Sequence, residues 1–210
     1  MKFAVACILL TFCLSALAVT PRDLQQDFEE FNALIPSKKI QDVVTKYYLF
    51  DGETRNFVKY LKGAEFRKVW DQVFTYPDVK DLLHYLKDKN ADATGLINSL
   101  ADLLGLPHVT PDLMLGNAVM LRSLKGLFNE IVALLPLDKL QALLEDKLAN
   151  SEDFKELYKR IASYDYCALE QFTANSAEVQ DFLNRLNGYG VSLDGLFNDV
   201  KEFFGWNKCN

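Results

Sequence analysis

The stretch Phe28–Gln41, FEEFNALIPSKKIQ, returns one hundred positions later as Phe128–Gln141, FNEIVALLPLDKLQ. Seven of the fourteen positions are identical: Phe28/Phe128, Glu30/Glu130, Ala33/Ala133, Leu34/Leu134, Pro36/Pro136, Lys39/Lys139 and Gln41/Gln141. The same offset aligns, without a gap, VKDLLHYLKDKNADATGLINSLADLLG (79–105) with VQDFLNRLNGYGVSLDGLFNDVKEFFG (179–205), which share Val79/Val179, Asp81/Asp181, Leu83/Leu183, Leu86/Leu186, Gly95/Gly195, Leu96/Leu196, Asn98/Asn198 and Gly105/Gly205. Between these blocks identity fades, yet Val44/Leu144, Tyr48/Leu148, Phe57/Leu157, Leu61/Ile161, Phe66/Tyr166 and Val69/Leu169 stay apolar. A register kept over that distance marks a duplicated unit. The expected organisation is a leader at 1–18, a first repeat at 19–107, a connector at 108–120 and a second repeat at 121–210, both repeats in one structural domain.

Each unit reads as six short helices. Thr20 suits an N-cap, Pro21 the first helical position, and Leu24, Phe28, Phe31 and Ile35 fall on one face before Pro36 ends the segment. Ser37 is expected to cap a second helix carrying Ile40, Val43, Val44, Tyr47 and Tyr48. Asp51–Glu53 break the chain before Phe57, Val58 and Leu61, and Gly63 breaks it before Phe66, Val69, Trp70 and Val73. Pro77 opens a fifth helix with Val79, Leu82, Leu83 and Leu86. The sixth starts near Asp92 or Thr94 and runs through Leu96, Ile97, Leu100, Leu103 and Leu104 to Gly105, with Pro107 beyond. Asp81 and Asp181 are expected in first turns, where a carboxylate complements the helix dipole. Spacings of three and four with no sustained alternation predict an all-α fold of about twelve short helices.

The opening eighteen residues, MKFAVACILLTFCLSALA, have the basic start, apolar middle and A-x-A ending of a secretory signal peptide. That run is too short for a spanning helix, and no later stretch reaches the roughly 18 to 20 apolar residues one requires. The mature chain is expected to be secreted, soluble and monomeric, starting near Val19. Losing Lys2 with the leader turns the net charge of −6 into −7, which disfavours nucleic acid and supplies no basic patch for anionic headgroups. Cys167 and Cys209 remain as a candidate disulfide. Two cysteines are too few for a disulfide scaffold, so the fold must rest on apolar burial.

No catalytic pattern emerges. His84 and His108 lie outside any H-E-x-x-H, no G-x-S-x-G occurs, and Cys167 has no nucleophile context. The acids of DFEE (27–30) and EDFKE (152–156) read as solvated outer faces, since a catalytic pair needs burial to move a pKa. GYG at 188–190 lacks the third glycine and the strand-to-helix setting of a dinucleotide loop. Metal-ligand spacing and N-x-S/T acceptors are absent. The expectation is a protein without catalytic residues, metal or cofactor. Its aromatic surplus, Tyr47 to Tyr76 and Phe203 to Trp206, reads first as core filling.

With F…ALIP…KIQ near the start of the unit, YYLFDGE…FVKYLKGAEF in its middle and TGLINSLADLLGL at its end, the chain resembles the insect allergen repeat family. That family embraces the cockroach group 1 allergen, mosquito microvillar G12-like proteins and butterfly nitrile-specifier proteins. The likeness runs from about Asp23 to Trp206, and NSEDFKELYKRIASYDY (150–166) departs from the pattern most. The resemblance implies an all-helical shell around a large apolar cavity holding fatty acids or phospholipids, in the midgut lumen or on microvilli, with transient membrane contact. It leaves two alternatives, a gut detoxification module of the nitrile-specifier kind and a structural microvillar protein with a solid core. Candidate lining positions are those that stay apolar across the repeat: Val44/Leu144, Tyr48/Leu148, Phe57/Leu157, Leu61/Ile161, Phe66/Tyr166, Leu83/Leu183, Leu100/Val200 and Leu104/Phe204. Each serves helix packing equally well.

Overall fold

A computed structural model of the chain describes residues 24–91, 93–104 and 124–206, except for the side chains at 94, 96, 100, 103 and 104. The leader, Thr20, Pro21, Asp92, the connector, Gly105 and Cys209 lie outside the described residues. The first unit holds α1 (Leu24–Leu34), α2 (Ser37–Phe50), α3 (Gly52–Leu61), α4 (Ala64–Thr75), α5 (Pro77–Asp88) and α6 (Ala93–Leu104). The second holds α7 (Leu124–Leu134), α8 (Leu137–Asn150), α9 (Glu152–Ala162), α10 (Tyr166–Asn175), α11 (Ala177–Gly188) and α12 (Asp194–Phe204). The described residues are all-α and contain no strand. The largest departure from the repeat falls between α9 and α10, where α10 starts two residues later than its counterpart.

Equivalent punctuation produces the equivalent helices. Pro36 and Pro136 adopt nearly the same backbone, φ −78° and −79°, and occupy the N-cap positions of α2 and α8. Ser37 therefore does not cap α2 as expected: it is already helical, and its hydroxyl donates to the Ile35 carbonyl at 3.4 Å. The proline before it, with φ fixed by its ring, has taken the cap position. Asp51 and Ser151 do act as side-chain caps, accepting from the Thr54 amide at 2.7 Å and the Phe154 amide at 3.2 Å. Gly205 ends α12 at φ +73°, a left-handed conformation that a Cβ would strain. Asp81 is not in a first turn. With α5 starting at Pro77 the first-turn acid is Asp78, and Asp81 is free to accept from Arg160 at 2.6 and 2.9 Å. Asp181 likewise sits one turn in, on α11, and accepts from Arg185 at 2.6 Å.

The two units interlock by exchanging their first helices. Helix α1 packs on α8 and α9, while α7 packs on α2 and α3. Leu24, Phe28 and Phe31 are thus buried among Tyr85, Leu86, Leu140, Leu144, Phe154 and Leu157. Leu124 and Leu127 are buried in the mirror cluster with Phe57, Leu186 and Val191. The same exchange governs cation–π contacts: the Arg160 guanidinium lies 4.7 Å over Tyr85, and Arg185 lies 4.6 Å over Tyr60. Each contact becomes the other when the units are swapped. Such contacts add about 0.5–2 kcal/mol, whereas each fully buried Leu or Phe contributes about 1.5–3 kcal/mol, so apolar exchange dominates the joining of the units.

Two places break the symmetry. Lys147 is buried on α8, 2.8 Å from Asp27 and 2.7 Å from Glu30; burial works against its ammonium, but the two carboxylates hold its pKa above the ordinary lysine value. Its counterpart, Tyr47, packs against the cluster that holds Leu127, and the ion pair moves outward to Lys46 and Glu130 at 3.1 Å. The second break concerns α4 and α6. Trp70, Ile97 and Ala101 form a third buried cluster, packed by Leu61, Phe66, Phe74 and Leu83. The second unit has no residue like Trp70 at that place.

Candidate functional site

An apolar cleft of about 590 Å³ lies between the two units, and its second-unit wall stands at the place that Trp70 fills in the first. Its walls come from α4 and the start of α5 on one side, through Val69, Val73 and Val79, and from α10, α11 and α12 on the other. That volume falls within the roughly 300–1,000 Å³ typical of small-ligand pockets. At the 100-residue offset Trp70, Ile97, Ala101, Phe66 and Leu83 become Glu170, Phe197, Lys201, Tyr166 and Leu183, and all five of these line the cleft. Phe74, whose ring lies 4.6 Å from Trp70, becomes Ala174. Losing the indole and a phenyl ring removes the filler.

A second cause is the seat of α12. In the first unit α6 packs along α5, whereas α12 packs on α9. Aromatic groups hold it there: the Tyr158 hydroxyl donates to the Phe203 carbonyl at 2.8 Å, and its ring lies 5.2 Å from Phe203 and 5.4 Å from Phe204. The Trp206 indole N–H donates to the Ala162 carbonyl at 3.1 Å. The counterpart of Tyr158 is Val58, which has neither ring nor hydroxyl. The opposite wall is fixed where Gln72 on α4 donates to Glu178 at 3.0 Å and accepts from the Ser176 hydroxyl. Phe182 backs the cleft, 5.3 Å from Phe66 and 6.2 Å from Tyr60. Burial, with Asp181 nearby, pushes the Tyr60 phenol up to about 12.

One end of the cleft is polar. Lys201 donates to Glu170 at 3.0 Å, and the Tyr166 hydroxyl donates to the same oxygen at 2.7 Å. The Lys201 ammonium lies 4.6 Å over the Tyr166 ring, which is itself stacked on Trp206 at 5.6 Å. Asp194, Asn198 and Thr173 supply the remaining polar lining. Nothing in this arrangement poises a nucleophile beside a base; its physical capacity is to remove apolar matter from water and to meet a polar group at one end. Among the described residues no three His, Cys, Asp or Glu side chains gather as a metal site, and no helix is long and apolar enough to cross a membrane. His84 is exposed.

Of the sequence-derived lining positions, Tyr166, Leu183 and Val200 line the cleft. Leu144 and Leu157 are buried in the α1 cluster with Leu83, Leu148 and Ile161 against it, while Phe57 and Leu61 belong to the α7 cluster. Phe66 packs on Trp70, and Phe204 stacks with Tyr158. Val44 and Tyr48 lie at the surface, 38% and 48% exposed, because α7 leaves the outer face of α2 uncovered. The side chains of Leu100 and Leu104 lie outside the described residues. Cys167 is disulfide-bonded, and Cys209, its expected partner, lies outside the described residues. Leu169, Phe172, Val179, Phe182 and Phe197 also line the cleft although they are not among those positions; all but Phe172, which answers Gln72, keep apolar character at the offset. What sets this place apart from its counterpart is the offset pairs that change character, Trp70/Glu170 and Ala101/Lys201.

Two duplicated six-helix units, interlocked and punctuated by the same prolines and caps, are matched by the profile of the insect allergen related repeat, described with nitrile-specifier detoxification, over residues 23–197. The chain belongs to that family. It is 36% identical to Protein G12 of Anopheles gambiae over 207 residues, 98% of each chain.

Proposed function

We propose that this is a secreted, non-enzymatic carrier of lipids, fatty acids or phospholipids, acting in the insect midgut lumen or at the microvillar surface and exchanging cargo with membranes. The observation that carries this reading is the apolar cleft beside α12, with one polar end and no poised catalytic groups. Each methylene buried is worth about 0.8 kcal/mol, so roughly 14 methylenes of an acyl chain gain on the order of 11 kcal/mol before ordering costs. Selectivity for chain length is weak on the same scale, about 1–3 kcal/mol per methylene at most.

The test is native mass spectrometry of the protein secreted by insect cells, before and after organic extraction. A mass loss matching acyl cargo is expected. Absence of cargo together with failure to take up a fluorescent fatty acid overturns the reading. A second reading rests on the family's description, which names nitrile-specifier detoxification. In that role the cleft would accept an apolar toxin fragment, and product diversion from a reactive aglycone by lipid-free protein would favour it.

A further inference from the structure

We propose that two copies of this chain pair through one face of α2 and α7, across a two-fold axis that passes beside Val44. The sequence led to the expectation of a monomer, and this inference is independent of what the cleft carries. Val43 and Tyr47 on α2 and Leu127 and Ile131 on α7 form the seam between the two helices. Lys46 and Glu130 stand one residue before that seam on each helix and meet at 3.1 Å on one flank. Val44, Tyr48, Phe128 and Val132 stand one residue after it, about 100° further round, and emerge together on the other flank. All four are exposed, between 37% and 48%.

The repeat shows what a face of this kind takes. Its counterparts in the second unit are Leu144, Leu148, Phe28 and Asn32. There Phe28 and Leu144 are buried, Leu148 packs against them, and Phe203 brings α12 onto the same cluster. The first unit lacks that cover because α6 packs along α5. A protein helix is therefore the fitting occupant, and α2 itself supplies one. Ile40, Val44 and Tyr48 form an i, i+4, i+8 ridge, the kind that interdigitates with its own copy at about −50°. Val44 is the smallest of the three and stands in the middle, so two such helices approach closely there while Ile40 of one copy faces Tyr48 of the other. Ser37 and Gln41 complete the α2 flank, which has no charge to bury. A flank without Lys or Arg lacks the cations that reach back to lipid headgroups, which favours a protein partner over a bilayer. On the α7 side Lys125 stands at the far edge, its stem against Gly190. None of these residues lines the cleft, so pairing leaves it open. With so few side chains the dimer is expected in the micromolar range.

The experiment is sedimentation equilibrium of the full mature chain from about 1 to about 100 µM, a range that brackets micromolar association. Wild type is expected to pass from monomer to dimer. Val44→Lys would bring two ammonium groups together on the axis and is expected to weaken association by more than about a hundredfold. Its urea midpoint at low concentration is expected to stay unchanged, because position 44 is exposed. Val44→Glu is expected to behave in the same way. A mixture of the two variants is expected to pair again, as only a face that meets itself at residue 44 can do. Thr45→Lys, on the back of α2, is the control and is expected to leave association within about twofold. A wild type that stays monomeric throughout, a Val44→Lys variant that still pairs, or a mixture that fails to recover overturns the proposal. Binding of monomeric wild type to phosphatidylcholine vesicles, abolished by Val44→Lys, would give the face to a bilayer and overturns it equally.

Discussion

Around Trp70 and around Glu170 the chain has built the same scaffold twice, and the two places have opposite properties. The first is packed by an indole between α4 and α6; the second keeps about 590 Å³ between α4, α10, α11 and α12. Their flanks are alike, with Phe66 and Leu83 answered by Tyr166 and Leu183. The difference lies in a few side chains and in the seat of one helix, α12, which Tyr158 and Trp206 hold against α9. Duplication lets one copy carry stability while the other departs from close packing. A void next to a solid core is tolerated because the shared clusters around Leu24 and Leu124 carry the joining of the units.

The largest expected effect tests the solid side. Trp70→Ala removes a buried indole and should lower stability by about 3–5 kcal/mol, read as a shift in urea midpoint. Phe197→Ala on the open side, where the ring is 43% exposed, should cost less than about 1 kcal/mol. Equal losses at the two positions would erase the distinction between a filled and an open unit. The next effect is a gain: Glu170→Trp with Lys201→Ala is expected to add about 1–2 kcal/mol, because a partly buried indole outweighs an exposed ion pair worth at most about 1 kcal/mol. A marked loss instead would mean that α12 cannot yield and the site is overpacked.

That contrast also explains what was legible in the sequence. Helix boundaries could be read because they depend on local punctuation: Pro36/Pro136, Asp51/Ser151 and Pro77 act within a turn of where they stand. The repeat fixed the interior stripes of α1, α8 and α9 because apolar character at Phe28, Leu144 and Leu157 is required for burial in either role, core or lumen. The same rule did not separate the cleft from the core, because Val69/Leu169, Val79/Val179 and Ile97/Phe197 keep apolar character as the core pairs do. Persistent apolar character marks what both units pack, in core and cleft alike; Val44 and Tyr48 show it failing even as a mark of burial, since α2 keeps no buried residue although α7 packs on it. The cleft depends instead on a tertiary choice, α12 packing on α9, and on residues at which the copies disagree. Periodicity within one helix contains no information about which neighbour that helix selects.

The smallest effect separates Asp81 from Asp181, identical in sequence and unequal in contacts. Asp81 accepts two bonds from Arg160 and one from Tyr164 at 2.8 Å, tying α5 to the other unit, whereas Asp181 accepts from Arg185 within its own helix. The Arg160 guanidinium, helped by the Tyr164 hydroxyl, holds the Asp81 carboxyl below the ordinary aspartate value. A lowered folded pKa means that the unfolded chain binds the proton more readily, so this contribution is present above the unfolded value of about 4 and fades as pH falls through the folded one. Because the Asp81 side chain is 45% exposed, solvent screening keeps the contribution below about 1 kcal/mol. Asp81→Asn should therefore lower the urea midpoint modestly at pH 7 and converge with wild type as the solution is acidified below pH 4. Asp181→Asn should do less at pH 7, since it breaks no contact between units. A larger loss from Asp181→Asn, or an Asp81→Asn deficit that persists at low pH, would show that the asymmetry of contacts around these two residues does not reach the stability of the interlocked units.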